Sequence, residues 1–125
     1  MNVVCPCGRG AALESCCGRY LGTEVPAPDA ESLMRSRYTA FVRADAVHLL
    51  TTWHASTRPA TLELEPGVKW LGLEVKRHKV LDASHAEVEF VARSRIQGRG
   101  QRLHERSRFV RENGYWFYVD GDILT

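Results

Sequence analysis

Cys5, Cys7, Cys16 and Cys17 stand in the run CPCGRGAALESCCGRYL, and no other residue of the chain is a cysteine. Two close pairs separated by a glycine-bearing turn allow one short hairpin to aim four thiolates at a single point. Four soft ligands in a tetrahedron, with sulfur at ~2.3 Å from the ion, are what a structural Zn²⁺ site requires. Such a site keeps no open position for water, so the ion is a scaffold. Pro6 stiffens the link between the first two ligands. Gly8 and Gly10 let the backbone turn sharply and leave amides free to support the sulfurs. Ala11–Cys17 has helix-forming composition, which predicts that Cys16 and Cys17 sit on a short helical turn ended by Gly18. Four thiolates and one dication carry a net −2, which cancels the formal +2 of the metal-free chain.

An even cysteine count also admits disulfides. Cys16 and Cys17 are neighbours and pair awkwardly, because a vicinal bridge strains the peptide between them. Cross-pairing to Cys5 and Cys7 belongs to an oxidising compartment. The start, MNVVCPCGRG, has no basic segment leading into an apolar one, and no stretch is long enough to span a bilayer. A cytoplasmic chain with reduced thiols is the consistent reading, and zinc is preferred to disulfides or free thiols.

The elements around this segment follow from pattern. With 125 residues, 44% apolar, the chain can bury one modest core, with the knuckle as a satellite. Thr23–Asp29 holds two prolines and reads as a semi-rigid linker. The expected organisation is a knuckle over 1–22, a linker over 23–29 and a second domain over 30–125. Asp29 is a natural N-cap, and Leu33, Met34, Tyr38 and Phe41 recur at helical spacing. Arg37 falls inside that stripe, while Arg35, Thr39 and Arg43 face away. A second helix is expected from about Ala46 to Trp53, with Val47, Leu50 and Trp53 on one side. Ala55–Pro66 reads as a turn or short helix. From Val68 the period becomes strand-like, with hairpin turns at Gly98–Gly100 and Asn113–Gly114, the second a type I′ signal. Two helices followed by at least four meandering strands make an α+β domain.

Several of these runs carry a family resemblance. CPCGRG…CC resembles the SEC-C zinc motif. SLMRSRYTAFV at Ser32–Val42, TWH at Thr52–His54, VEFVAR at Val88–Arg93 and HERSRFVRENGYWFYVDG at His104–Gly121 resemble the YchJ family, also called UPF0225. The resemblance spans essentially the whole chain. It implies a SEC-C knuckle followed by an NTF2-like cone, in which a curved antiparallel sheet wraps the first helix. It further implies a homodimer formed through the open sheet face, and protein-partner recognition by the knuckle. The family's biochemical role is unassigned.

A cone-shaped sheet can leave a pocket against its helices. Glu105 shares a strand face with Leu103 and Phe109, and a carboxylate among apolar neighbours needs a partner. Arg37 has the complementary need, so an ion pair is expected between Arg37 and Glu105, with Glu89 as second choice. That pair reads either as a structural tie between helix and sheet or as a ligand-binding pair. Tyr38, Trp116 and Tyr118 are large enough to line a cavity and equally suited to core packing. His54 is either a general base or a surface contact, and Asp120 either a pocket acid or a turn former. No nucleophile–base pair and no phosphate-binding loop is visible, so the sequence leans away from an enzyme.

Residues 68–111 hold eleven Lys or Arg against five Asp or Glu. Arg93, Arg95, Arg99, Arg102, Arg106, Arg108 and Arg111 crowd two neighbouring strands, a pattern that fits either RNA or ribosome contact or a solvated outer sheet face. Three functions therefore stand in order: an adaptor whose zinc knuckle contacts a protein partner, a small-molecule binder or enzyme using the cone pocket, and an RNA-associated factor.

Overall fold

The computed structural model describes residues 3–124. Two 3-10 turns, Leu13–Ser15 and Cys17–Arg19, precede helices α1 (Ala30–Val42) and α2 (Ala46–Thr51). Strands β1 (Val68–Val80), β2 (His85–Ile96), β3 (Arg99–Glu112) and β4 (Tyr115–Ile123) follow. They form one antiparallel sheet in the order β1-β2-β3-β4. Asn113 and Gly114 take φ of 53° and 83°, the left-handed pair that a type I′ hairpin needs. The turn before it uses Gln97 and Gly98, not Gly98–Gly100; Gly100 already lies in β3, opposite Arg95. Register breaks at Trp70/Gly72 and Val75/Arg77 in β1, and at Val119 of β4 opposite Arg108/Phe109, bend the sheet around α1. Residues 55–66 form no helix.

The concave face presents Val88, Phe90 and Ala92 of β2, Phe109 of β3 and Trp116 of β4 to Leu33, Met34 and Tyr38 of α1. Tyr20 and Ala27 join the same core. Asp29 caps α1 by accepting from the Ser32 amide at 2.7 Å. The helix is buried on more than its sheet side, since Ser32, Ser36 and Thr39 are also enclosed. Small polar side chains suit this position because each finds a partner; the Ser36 hydroxyl, for instance, donates to the Leu33 carbonyl at 2.7 Å.

The second helix differs from expectation. It stops at Thr51, and it buries His48 and Leu49 while Val47 is left 74% exposed. Asp45 caps it by accepting from the His48 amide, and the short helix docks on α1 by the side opposite to its apolar-looking face. His48 Nε2 lies 2.9 Å from Ser36 Oγ, whose proton is committed to Leu33, so the ring donates through Nε2. Burial then pushes His48 down to about 4, against a smaller upward pull from Asp45. A depressed folded value means stability that is complete above the unfolded histidine range and is lost as pH falls toward 4. Between about pH 7 and about pH 4.5 the wild type is expected to lose about 2 kcal/mol more than His48→Gln, measured by urea unfolding. Parallel pH curves for the two proteins would show that His48 is not buried neutral.

Candidate functional site

The knuckle is a miniature hairpin. The Leu13 amide donates to Val3 O at 2.7 Å and the Cys5 amide to Ala11 O at 2.9 Å, around a bridge between Val4 and Ala12. Gly8 and Gly10, at φ of 87° and 88°, make its left-handed bends. The expected single helical turn is instead two 3-10 turns broken at Cys16 (φ −125°, ψ −117°). Consecutive side chains on an unbroken helix diverge by about 100°, so the break is what lets Cys16 and Cys17 both face inward. Gly18 does not terminate a helix. It sits inside the second turn, where a Cβ would lie 2.6 Å from the Leu13 carbonyl oxygen, so glycine is needed for close approach.

All four cysteines are buried, and their sulfurs lie within 4.8 Å of one another. Cys7 and Cys16 are 3.6 Å apart, near the ~3.8 Å edge of a tetrahedron with ~2.3 Å metal–sulfur bonds. That is far longer than the ~2.05 Å of a disulfide, and the four thiols are unbridged. The four thiols also perturb one another. Cys7 is drawn down to about 4, chiefly because Cys17 donates to its sulfur. Burial pushes Cys16 up to about 11, and the bond to Cys7 together with burial drives Cys17 upward. The donor set and spacing therefore fit a thiolate-held metal.

Residues expected to face away from the core of α1 instead receive this knuckle. Thr39 is fully buried with its hydroxyl 3.7 Å from Cys5 Sγ. Arg35 donates from Nη1 to the Cys7 carbonyl at 2.7 Å and from Nε to Glu31 at 2.9 Å. Arg9 reaches back from the knuckle to Ser32 Oγ at 3.1 Å, and Leu73 of β1 packs on the cysteine cluster. The 23–29 segment is held as well, with Tyr115 donating to the Glu24 carbonyl at 2.9 Å.

A cavity of about 230 Å³ opens between α1 and the concave sheet, and Arg37, Tyr38, Glu105 and Tyr118 all line it. Arg37 is buried as expected, but its expected ion pair is not formed. Its Nη1 donates to the Leu49 carbonyl at 2.8 Å and to Thr52 Oγ1 at 2.7 Å, and its guanidinium lies 4.6 Å over Tyr118 and 5.4 Å over Trp53. Glu105 instead accepts from Ser107 Oγ and, at 3.4 Å, from Tyr118 OH. Backbone acceptors at the end of α2 were nearer to Arg37 than any carboxylate. Burial, seconded by Glu105, raises Tyr118 to about 12, so its hydroxyl stays a donor.

The other candidates lie apart from this cavity. Glu89, the second-choice partner, pairs with His104 Nε2 at 2.7 Å on the outer face. Trp116 lines a separate groove with Tyr20 and Pro26. His54 bridges Ser56 and Glu112 near the surface, its Nε2 2.9 Å from the carboxylate. Asp120 forms an ion pair with Arg108, which also binds Asp122. Arg106 and Arg93 likewise meet Asp122 and Glu74, so part of the arginine-rich face is neutralised across neighbouring strands. Sequence reasoning missed Ser107, Phe41 and Trp70 in the cavity wall. Ser107 was legible, because it alternates with Glu105 and Phe109 on one strand face; Phe41 and Trp70 meet only through the tertiary fold, 5.6 Å apart. Among the described residues no helix is long and apolar enough to cross a membrane.

Known proteins share these features. Residues 29–121 match the family described as YchJ, middle NTF2-like domain. A UPF0225 protein of Polaromonas naphthalenivorans is 62% identical, covering 98% of both chains. One from Methylibium petroleiphilum is 64% identical over 95% of this chain and 88% of its own. Among solved structures, a SEC-C motif containing protein from Rhodopseudomonas palustris superposes with a TM-score of 0.87 at 31% identity, covering 98% of this chain and all of that one. A second, from Psychrobacter arcticus, gives 0.79 at 28% identity, covering 98% of this chain and 83% of that one. The cysteine cluster, the helix-wrapped sheet and these matches together make the chain a member of the UPF0225 family, with a YchJ-type NTF2-like domain.

Proposed function

We propose that the chain is a cytoplasmic binding module in which a structural Zn²⁺, held by Cys5, Cys7, Cys16 and Cys17, orders a knuckle that recognises another protein, while the NTF2-like domain supplies the body. The observation that carries this reading is the two-sidedness of the knuckle. Its four thiols are buried, with Cys5 against Thr39 of α1 and Leu73 of β1 packed on the cluster, whereas Val3 and Val4 at the open end of the hairpin are each 66% exposed. A closed four-sulfur site offers no position for a reacting molecule, so the ion's contribution is shape. Two adjacent exposed valines on an ordered hairpin are an apolar contact that a partner can cover. The test is affinity capture with the wild type and with Val3→Asp/Val4→Asp, both checked for metal by elemental analysis. The variant is expected to keep about one zinc per chain and to lose the captured protein. Equal capture by both would place the partner surface elsewhere.

A further inference from the structure

The cavity under α1 is lined by two polar groups of opposite charge, the buried Arg37 and the half-buried Glu105, that do not satisfy each other. Arg37 is 7% exposed, and among the described residues both of its hydrogen bonds leave from Nη1. Its Nε and Nη2 groups take no bond there, and the side chain lines the cavity. Glu105 faces the same space. Its Oε2 accepts from Ser107 and Tyr118, and its Oε1 takes no bond among the described residues. Free donors of a guanidinium and a free carboxylate oxygen thus border one small space.

Glu105 is placed there with care. Gly121 of β4 lies opposite Ser107, and a Cβ at position 121 would run into the Glu105 carboxylate. Glycine at this point lets the carboxylate lie flat across β4, away from the outer salt bridges of Arg108. The walls are rings: Trp70, Phe41 and Phe90 surround the two polar groups. A volume of about 230 Å³ exceeds the ~150 Å³ that holds a benzene in an engineered cavity, which suits one substituted ring.

We infer that this cavity is a binding site for a small, flat, uncharged molecule carrying an N–H beside a carbonyl, a lactam or cyclic-ureide edge, with Glu105 accepting from the N–H and Arg37 donating to the carbonyl. The other classes fit less well. An anion meets the Glu105 carboxylate, a cation meets Arg37, and a hydrocarbon leaves both polar groups unpaired in an apolar setting. A donor–acceptor edge answers both at once, and aromatic walls favour its planarity. The site is separate from the knuckle and does not depend on what the knuckle binds.

The test is an NMR titration of the intact, metal-loaded chain with four single-ring probes at millimolar concentration: 2-pyridone, benzoate, benzamidine and toluene. Saturable shifts of the Trp70 and Trp53 indole signals with 2-pyridone are expected, with the other three weaker by about tenfold or more. Glu105→Gln presents an amide N–H to the ligand N–H once Ser107 and Tyr118 hold its oxygen. It is expected to weaken 2-pyridone by about tenfold with signal dispersion unchanged. Gly121→Ala, which displaces the carboxylate while leaving its chemistry intact, is expected to do the same. Benzoate or toluene binding as tightly as 2-pyridone would overturn the assignment, as would unchanged affinity in both variants or no response to any probe.

Discussion

Stripping the Zn²⁺ proposed for Cys5, Cys7, Cys16 and Cys17 is expected to lower the melting temperature of the whole chain by more than about 10 °C, in one cooperative transition. The reason lies in what the knuckle covers. Thr39 is fully buried with Cys5 Sγ 3.7 Å from its hydroxyl, Arg35 is anchored by the Cys7 carbonyl, and Leu73 packs on the cysteine cluster. Tyr20, just after the last ligand, is part of the main core. A hairpin of some twenty residues has no core of its own, so loss of the ion unfolds it. Its departure then exposes one side of α1 and part of β1. A loss of about 3 kcal/mol to a domain of this size corresponds to the stated shift. Calorimetry with and without a strong chelator measures it, with Cys16→Ser as the genetic equivalent and elemental analysis to identify the ion. If the sheet melted at an unchanged temperature after chelation, the knuckle would be the satellite that composition alone suggests.

That contrast shows where sequence reasoning stops. The cysteine spacing, the Asp29 cap and the Asn113–Gly114 turn are local signals, each fixed by the chemistry of a few neighbouring residues, and each appears in the fold where expected. The outward side of α1 was misread because what covers it arrives from more than twenty residues away: Arg35 and Thr39 look like solvent-facing residues until the knuckle docks on them. Val47 was misplaced for a related reason, since the side on which a six-residue helix is buried is set by its cap and its neighbour more than by its own short pattern. Gly18 reads as a terminator, yet its necessity comes from the Leu13 carbonyl. In the cavity, reasoning by residue type paired a positive side chain with a negative one. Backbone carbonyls carry no letter in the sequence, and one of them took the arginine.

Arg37→Ala is expected to cost about 3 kcal/mol of stability, through the end of α2. The last carbonyls of any helix lack intrahelical donors, and Leu49 O is one of these at a buried position. Arg37 Nη1 supplies that donor and also binds Thr52 Oγ1, whose own proton goes to the His48 carbonyl. One guanidinium therefore closes the helix terminus from the neighbouring helix. Removing it leaves the Leu49 carbonyl with only a long contact of 3.4 Å from Thr52 Oγ1 and opens a void between Trp53 and Tyr118, each a ring in contact with the charge. An opposing effect limits the loss. Burial draws Arg37 down to about 10, so the folded state bears part of the cost of desolvating it, and that cost disappears with the charge. Arg37→Met tests the balance, because it fills the void without restoring the donor and is expected to recover roughly half the loss. Arg37→Lys keeps the charge and a nitrogen able to donate twice, but it is shorter and lacks the planar guanidinium that lies over Tyr118 and Trp53, so it should fall nearer to alanine than to the wild type. Urea unfolding of the four proteins gives the order wild type, Met, then Lys and Ala; a lysine variant as stable as wild type would mean that charge, and not the reach and planarity of the guanidinium, holds α2 to α1.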